Sequence, residues 1–206
     1  MNLGQQCQIV DRLSPDYPKA LLNLGAEKLF INLWRAGPVE LLNHPAVGFF
    51  CSSQCPGFIV LKTFDAITKM RDEGQVVIGG FHSVMEWECF RILLRGRQPV
   101  IWIPARSIAG MRLKPELEPA FTDGRLLILS PFAPTRANAR VTAVLAYQRN
   151  RFVGALADRI FVPHAAPASR TLEHCRELAT AGKKIMTMDD QVNDGLLRLE
   201  GVERLS

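Results

Sequence analysis

Short loops of glycine, hydroxyl and other polar residues follow four of the apolar runs in the sequence. The residues in them that could contact a ligand are Ser52, Ser53 and Gln54 after the first run, Gly79, Gly80 and Ser83 after the second, Ser130 after the fourth, and Ser169 and Thr171 after the fifth. Backbone N–H groups and hydroxyls at the start of a helix bind anions, and the helix dipole favours negative charge there. We therefore predict that these loops together bind a phosphate group or a nucleotide. The alternative for any single loop is that its residues only cap a helix.

The segment Arg149-Asn150-Arg151 is a second candidate, because it interrupts a stretch of helical period that is rich in Ala, Leu and Val. Asparagine is a poor residue for a helix interior. Residues two apart on a helix do not share a face, so the two arginines are expected to have different surroundings. We predict that this turn lies beside the loops after the first and fourth runs, with at least one arginine facing the anion. The alternative is a structural or solvent-facing polar turn.

Arginine is concentrated in one part of the chain. Of the 25 cationic residues 18 are arginine, and residues 91–159 hold eleven arginines and one lysine against four carboxylates, in a chain of net charge +5. The planar guanidinium binds phosphate in a bidentate manner that lysine cannot match. This distribution favours a phosphate-bearing partner over the alternative of a merely solvated basic face.

The sequence offers little for catalysis. Glu86 is the one candidate catalytic carboxylate, and the alternative is that it only favours the dipole at the start of its helix. The four histidines share no metal-ligand spacing, and the five cysteines form neither a zinc motif nor a disulfide framework. The fingerprints GxGxxG, GxxxxGK[ST], GxSxG and HExxH are absent from the sequence. We expect no metal and no cofactor, and a binding protein rather than an enzyme.

The elements that must position these residues alternate along the chain. Short apolar runs at 46–51, 76–79, 100–103, 126–129, 160–162 and 184–187 predict buried strands, and stretches of helical period at 58–71, 84–94, 137–156 and 169–181 predict the helices between them. Strands joined by such crossovers form a parallel sheet covered on both faces. The pattern predicts an α/β fold: a doubly wound, mostly parallel sheet with helices on both faces.

The two ends of the chain depart from this alternation. Residues 1–44 contain three prolines, a short helical patch and one apolar stretch, which predicts a leader packed on the edge of the sheet with at most one strand. Residues 190–205 are expected to form a short terminal helix. With no repeat and no linker composition in between, residues 1–206 are predicted to form a single domain.

Composition indicates a globular protein, with 48% hydrophobic and 22% charged residues. No apolar run approaches the roughly 18 residues that a membrane helix needs. The first residues lack the basic and apolar regions of a secretory signal. We expect a cytoplasmic protein without membrane contact.

In its order of motifs the chain resembles the DNA-processing protein A family, also called DprA or Smf. Residues 148–156, QRNRFVGAL, resemble the family's RNRIIAGLS closely. The other matching segments occur in the family's order: Asp16-Tyr17-Pro18 with Leu21, Leu29-Phe30, and residues 47–53, 77–80, 168–171 and 182–185. The resemblance implies an extended Rossmann-like core that binds single-stranded DNA, dimerises and loads a recombinase.

Some positions depart from the family pattern. Ser52-Ser53-Gln54 stands where the family has GSR, so the arginine that helps to hold the DNA backbone is missing there. Residues 81–86 replace the family's GID segment, and Met188-Asp189 replaces its final PG. The winged-helix tail of many members is also absent. The resemblance therefore indicates a divergent, stand-alone core.

Two functions follow from these observations. The first is a homodimeric protein that binds single-stranded DNA and mediates recombination during DNA uptake or processing, with a recombinase as possible partner. The alternative is a protein that binds a nucleotide or nucleotide derivative, or a phosphoribohydrolase-like enzyme, in the same superfamily. The PGGxGTxxE motif of phosphoribohydrolases is absent, which argues against that activity.

Overall fold

A computed structural model describes residues 1–23, 30–134 and 141–205. Its strands are β1 Gln8–Asp11, β2 Asn32–Ala36, β3 Ala46–Phe49, β4 Val76–Gly79, β5 Val100–Trp102, β6 Leu126–Ser130, β7 Arg159–Phe161, β8 Lys184–Met188 and β9 Val202–Leu205. Its α-helices are α1 Lys19–Asn23, α2 Gly57–Asp72, α3 Val84–Leu94, α4 Glu118–Thr122, α5 Ala143–Leu156, α6 Arg170–Thr180 and α7 Asp194–Leu197. Four 3₁₀ turns add Leu3–Gln5, Val39–Asn43, Pro115–Leu117 and Gln191–Asn193.

All nine of these strands form one sheet in the order β1-β2-β6-β5-β4-β3-β7-β8-β9. The strands from β3 to β9 run parallel, and β2 and β1 extend the β6 edge in antiparallel pairings. The chain winds outward from β3 to β6 and then returns to place β7 on the other side of β3. This confirms the predicted doubly wound α/β fold class.

Two apolar layers cover the sheet, because alternate residues of each strand point to opposite faces. On one face Val77 and its neighbours pack against α2 and α3 through residues such as Ile59 and Phe90. On the other face Ile78 and its neighbours pack against α5 and α6 through residues such as Phe152. The central strands are buried on both sides, which is why each appears in the sequence as a continuous apolar run.

The N-terminal segment contributes more to the sheet than the sequence suggested. Two strands, β1 and β2, lie at its edge, where at most one was expected. Tyr17 anchors the segment between them through its hydroxyl, which donates to the Phe30 carbonyl oxygen at 2.5 Å. Residues 24–29, which include Leu29 of the resemblance, lie outside the described residues.

The terminal helix predicted over 190–205 is confirmed only in its first part, and its second part is wrong. After two short helical turns, Gly201 adopts φ +73°, and residues Val202–Leu205 form β9 parallel to β8. A left-handed glycine ends a helix, and the strand that follows supplies hydrogen-bond partners to what would otherwise be an open edge of the sheet.

Helix α5 begins later than predicted. Thr142 is its N-cap, and the Thr142 hydroxyl oxygen accepts a hydrogen bond from the Leu145 N–H at 3.2 Å. The predicted start near residue 137 falls in 135–140, outside the described residues.

Candidate functional site

The sheet reverses its winding direction between β3 and β7, and the loops that follow these strands meet at their carboxyl ends. The Ser52 N–H donates to the His164 carbonyl oxygen at 3.1 Å, and the Ala166 N–H donates to the Ser52 hydroxyl oxygen at 3.0 Å. The Ser52 hydroxyl in turn donates to the Ser169 hydroxyl oxygen at 3.3 Å. In doubly wound folds ligands bind at this point of the sheet. The structure thus brings Ser52 and Ser169 together, as the sequence analysis expected of the loops.

Those two hydroxyls mainly hold the loops to each other. Ser52 is buried, and Ser169 is the N-cap of α6, its hydroxyl oxygen also accepting from the Leu172 N–H at 3.2 Å. Since the Ser169 hydroxyl accepts twice, its own hydrogen can still be donated to an incoming acceptor. Ser53 and Gln54 are exposed at the tip of the β3 loop, and Thr171 is half-buried in the first turn of α6.

Glu86 fills the place that the sequence analysis assigned to a phosphate. Its side chain accepts hydrogen bonds from three backbone N–H groups: Cys51 at 3.1 Å, His82 at 2.8 Å and Ser83 at 3.2 Å. The Ser83 hydroxyl oxygen accepts from the Glu86 N–H in return, which completes a capping box at the start of α3. The carboxylate therefore ties the β3 loop to the β4 loop. Of the two interpretations of Glu86, this geometry matches the one in which the carboxylate only supports the start of its helix, and both of its oxygens accept hydrogen bonds.

Several of the backbone N–H groups that were predicted to bind an anion thus already donate hydrogen bonds within the protein. Ser83 serves as a cap, and the backbone N–H groups of His82 and Ser83 donate to Glu86. An external anion at this end of the sheet needs another donor.

Arg149 provides that donor. It lies on α5 and is only 5% exposed, and its Nε and Nη1 atoms are buried without a hydrogen-bond partner among the described residues. Burial lowers the pKa of Arg149, while the negative charge of Glu86 acts in the opposite direction. A buried cation that lacks hydrogen-bond partners is costly, so such a group is a candidate for binding an anion.

Gly80 makes room for this arginine. A Cβ atom added to Gly80 would lie 1.1 Å from Nη1 and 2.0 Å from Cζ of Arg149, so the guanidinium rests directly on the glycine backbone. The guanidinium is therefore held at the carboxyl end of β4, next to the loop whose backbone N–H groups donate to Glu86. Sequence analysis named both residues but gave no reason to pair them.

Arg149 and Arg151 have different surroundings, as their spacing predicted, because Arg149 is buried and Arg151 is not. Arg151 is exposed, with its guanidinium carbon 6.0 Å from the centre of the Tyr147 ring, and Asn150 is half-buried. The structure places Arg149 beside the loop after β4, which follows the second of the six runs. The reason is topological: the crossover from β6 to β7 carries α5 back across the sheet, so that it packs on β3 and β4.

The loop after β6, which follows the fourth apolar run, does not lie with the other predicted binding loops. Ser130 ends β6, and its hydroxyl donates to the Arg106 carbonyl oxygen at 2.8 Å. Two strands, β5 and β4, separate β6 from β3. At about 4.8 Å per strand this places the β6 loop roughly 14 Å from the β3 loop, too far to share one phosphate.

Two cysteines flank the tip of the β3 loop. The buried Cys51 and the half-buried Cys55 are joined by a hydrogen bond between their thiols, which lowers the pKa of Cys55. The sequence interpretation of Cys51 as a buried cysteine is confirmed. Within the described parts of the chain no group of three or more His, Cys, Asp or Glu could hold a metal ion.

A family model for DNA recombination-mediator protein A matches residues 8–203 of the sequence. The chain belongs to that family. The fold agrees: the DNA processing protein A (DprA) structure from Streptococcus pneumoniae superposes with a TM-score of 0.78 at 18% identity, over 98% of this chain and 72% of that one. DNA processing protein A from Helicobacter pylori, solved to explain its single-stranded DNA binding mode, gives a TM-score of 0.72 at 18% identity, over 99% and 93%.

A more distant fold likeness reaches outside the DprA family. The molybdenum cofactor carrier protein of Chlamydomonas reinhardtii has a TM-score of 0.53 at 10% identity, over 79% of this chain and 90% of that one. No curated protein sequence matches the chain. In the segments 1–23, 30–134 and 141–205 no helix is both long enough and apolar enough to span a membrane.

Proposed function

We propose that this protein binds single-stranded DNA at the carboxyl ends of β3, β4 and β7, with Arg149 as the main phosphate contact, and that it acts as a recombination mediator. The observation that carries the proposal is the buried guanidinium of Arg149, which lies against Gly80 without a hydrogen-bond partner among the described residues. A phosphate oxygen would supply the missing acceptor. Hydrogen bonds to charged groups contribute about 1.5–3 kcal/mol each.

Family membership supports the nature of the ligand. The chain belongs to the DNA recombination-mediator family, and its Helicobacter pylori relative is described as binding single-stranded DNA. In this chain Gln54 stands where the family pattern has an arginine. Arg149 therefore carries a larger share of phosphate binding here than the β3 loop does.

Binding at Arg149 requires a small local movement. Its Nε and Nη1 atoms are shielded from solvent, so a phosphate reaches them only if the guanidinium or a flanking loop shifts. Ser53, Gln54 and His82 lie in the β3 and β4 loops, and their exposed side chains can move without disturbing the core. The Ser169 hydroxyl can then donate its hydrogen to a phosphate oxygen of the same DNA strand.

The role as recombination mediator extends this binding. We propose that the protein acts as a homodimer and presents bound single-stranded DNA to a recombinase in the cytoplasm. The homodimer and the recombinase partner come from the family resemblance, and the cytoplasmic location comes from the sequence composition. All three remain predictions. Size-exclusion chromatography with light scattering tests the first, and a monomer at micromolar concentration would contradict it.

Titration of a labelled oligo(dT) of about 20 nucleotides, followed by fluorescence anisotropy, tests the proposed ligand. We expect saturable binding at about 50 mM salt that weakens strongly at about 200 mM, because log K on single strands falls by about 0.7 per phosphate contact for each tenfold rise in salt. Absence of binding at the lower salt concentration would contradict the proposal. Saturable thermal stabilisation by a mononucleotide, without oligonucleotide binding, would instead favour the nucleotide-binding alternative.

A further inference from the structure

A cavity of about 410 Å³ is lined in part by Gly80, the glycine against which the Arg149 guanidinium rests. It opens at the carboxyl ends of β4 and β5, under the start of α3. Its aromatic walls are Trp87 and Trp102, and exposed cationic side chains, Arg106 and Lys114, stand at its edge. We call it the aromatic cavity.

The two indole rings are held in a fixed arrangement. Their centres are 6.0 Å apart at an interplanar angle of 74°. The Trp102 indole N–H donates to the Gly80 carbonyl oxygen at 3.2 Å, and Trp87 also packs edge-on against Phe90. Trp102 is buried, whereas Trp87 is only partly buried. Trp87 therefore offers the cavity a rigid aromatic surface that a ligand can reach.

The side chain of Lys114 lies over that surface. The Nζ atom of Lys114 lies 3.7 Å from the centre of the Trp87 ring, and Lys114 itself is exposed. An exposed lysine can swing away at low cost, and its charge can then pair with a phosphate. Lys114 thus covers the Trp87 ring face in the free protein, and the face becomes available to a flat ligand when Lys114 swings away.

Gly80 links the aromatic cavity to the phosphate contact. Its Cα side supports the Arg149 guanidinium, while its carbonyl oxygen accepts from Trp102. A phosphate at Arg149 and a flat group in the aromatic cavity would therefore both lie next to Gly80. Phe81, the next residue, has φ +46°, a conformation uncommon outside glycine and often found at binding sites.

We propose that the aromatic cavity binds one nucleobase of single-stranded DNA, stacked on Trp87, next to the phosphate held by Arg149. This inference rests on the proposed function and adds a base-binding subsite to it. Stacking on an aromatic ring with a flanking cation is the general means by which proteins hold single strands without reading their sequence. The subsite is therefore expected to accept any base.

Comparison of oligo(dT) with an abasic oligonucleotide of the same length tests the inference, because the two carry the same phosphates. We expect the wild-type protein to bind oligo(dT) about tenfold or more tightly than the abasic strand. Trp87→Leu should abolish this preference and leave the affinity for the abasic strand unchanged. Trp87→Phe, which keeps an aromatic ring, should retain most of the preference. Leu61→Ala, at an exposed apolar position of α2 away from the aromatic cavity, is the matched control.

The outcomes separate the two proposals. If the wild-type protein binds neither oligonucleotide, the proposed function and this inference are both contradicted. Equal wild-type affinity for both strands, or an undiminished preference in a folded Trp87→Leu protein, would overturn the base subsite alone. Tryptophan fluorescence adds an independent measurement: oligo(dT) should quench it and the abasic strand should not. Quenching by an apolar peptide but not by oligo(dT) would assign the aromatic cavity to a protein partner and overturn the inference.

Discussion

The guanidinium of Arg149 occupies the space that a side chain at position 80 would need. A Cβ atom on Gly80 would lie 1.1 Å from Arg149 Nη1, far inside any permitted contact. The α5 arginine and the β4 loop therefore depend on each other, although they are far apart in the sequence. This relationship explains why a glycine stands at the carboxyl end of β4 and makes the position of the guanidinium testable.

Gly80→Ala should reduce DNA affinity by displacing the guanidinium. The clashing atoms form the end of a flexible side chain, so the protein is expected to fold and to move Arg149 aside. The expected loss is about 1.5–3 kcal/mol of binding free energy, comparable to that of Arg149→Ala. Oligo(dT) titration on each folded variant measures it.

A double-mutant cycle distinguishes displacement from general damage. In an Arg149→Ala background, Gly80→Ala should have little further effect on affinity, since no guanidinium remains to be displaced. Gly57→Ala is the matched control, because a Cβ there meets no atom within 4 Å. Additive losses in the double variant would contradict the proposed dependence.

Glu86 should stabilise the fold and oppose DNA binding at the same time. Glu86→Ala leaves three backbone N–H groups without their carboxylate, and we expect a loss of about 2–4 kcal/mol in the free energy of unfolding. Removal of the nearby negative charge should raise the oligonucleotide affinity of the folded molecules. Urea unfolding and oligo(dT) titration measure the two effects. Glu116→Gln, at an exposed ion pair, should change stability by no more than about 1 kcal/mol. Unchanged stability in Glu86→Ala would be inconsistent with the capping role.

Cys55 should be the most reactive thiol among the cysteines. The hydrogen bond from Cys51 lowers the pKa of Cys55, whereas burial raises the pKa of Cys175 to about 12 and also raises that of Cys7. Mass spectrometry after iodoacetamide treatment at neutral pH should find Cys55 modified first. Cys51→Ala removes the hydrogen bond, so it should raise the pKa of Cys55 and slow its alkylation. Earlier modification of Cys175 would show that the hydrogen bond does not govern reactivity.

His174 should make the protein less stable in mild acid. Burial lowers the pKa of His174 in the folded state, although its Nδ1 atom is paired with Glu177. The unfolded chain then binds a proton first, at a pKa near 6.5, so the contribution of His174 is complete above about pH 6.5 and decreases as the pH falls below it. Urea unfolding between about pH 7 and pH 5 should show a steeper fall for the wild-type protein than for His174→Asn. Parallel curves would contradict this assignment.

Much of the fold could be predicted because its signals are local. The strand Val76–Gly79 and the helix Val84–Leu94 occur at their predicted positions, since a continuous buried run and an N-capping serine mark them in the sequence. The strands β1 and β9 could not be predicted in this way. Each is a short edge strand whose burial alternates or is incomplete, and each forms only by pairing with a partner that the sequence does not reveal.

The candidate site was predicted less completely, for a related reason. Sequence analysis singled out the loops after the strands and the helical turn of Arg149, because glycine, serine and an arginine pair in a helix are visible as residue types. It could not show that Glu86 takes up the loop amides, or that Gly80 receives Arg149. Both depend on which loops the winding of the sheet brings together. The aromatic cavity was missed because Trp87 and Trp102 belong to different elements, a helix and a strand, and each looks like an ordinary core residue by itself.

The salt dependence of oligo(dT) binding by Arg149→Ala, compared with the wild-type protein and with Arg151→Ala, tests the central claim most directly. Arg151 is exposed on the same helical turn and is the matched control. We expect Arg149→Ala to weaken binding by about 1.5–3 kcal/mol and to reduce the slope of log K against log salt by about 0.7, one phosphate contact. Arg151→Ala should change both quantities much less. Unchanged affinity and slope in a folded Arg149→Ala protein would contradict the claim that Arg149 is the phosphate contact.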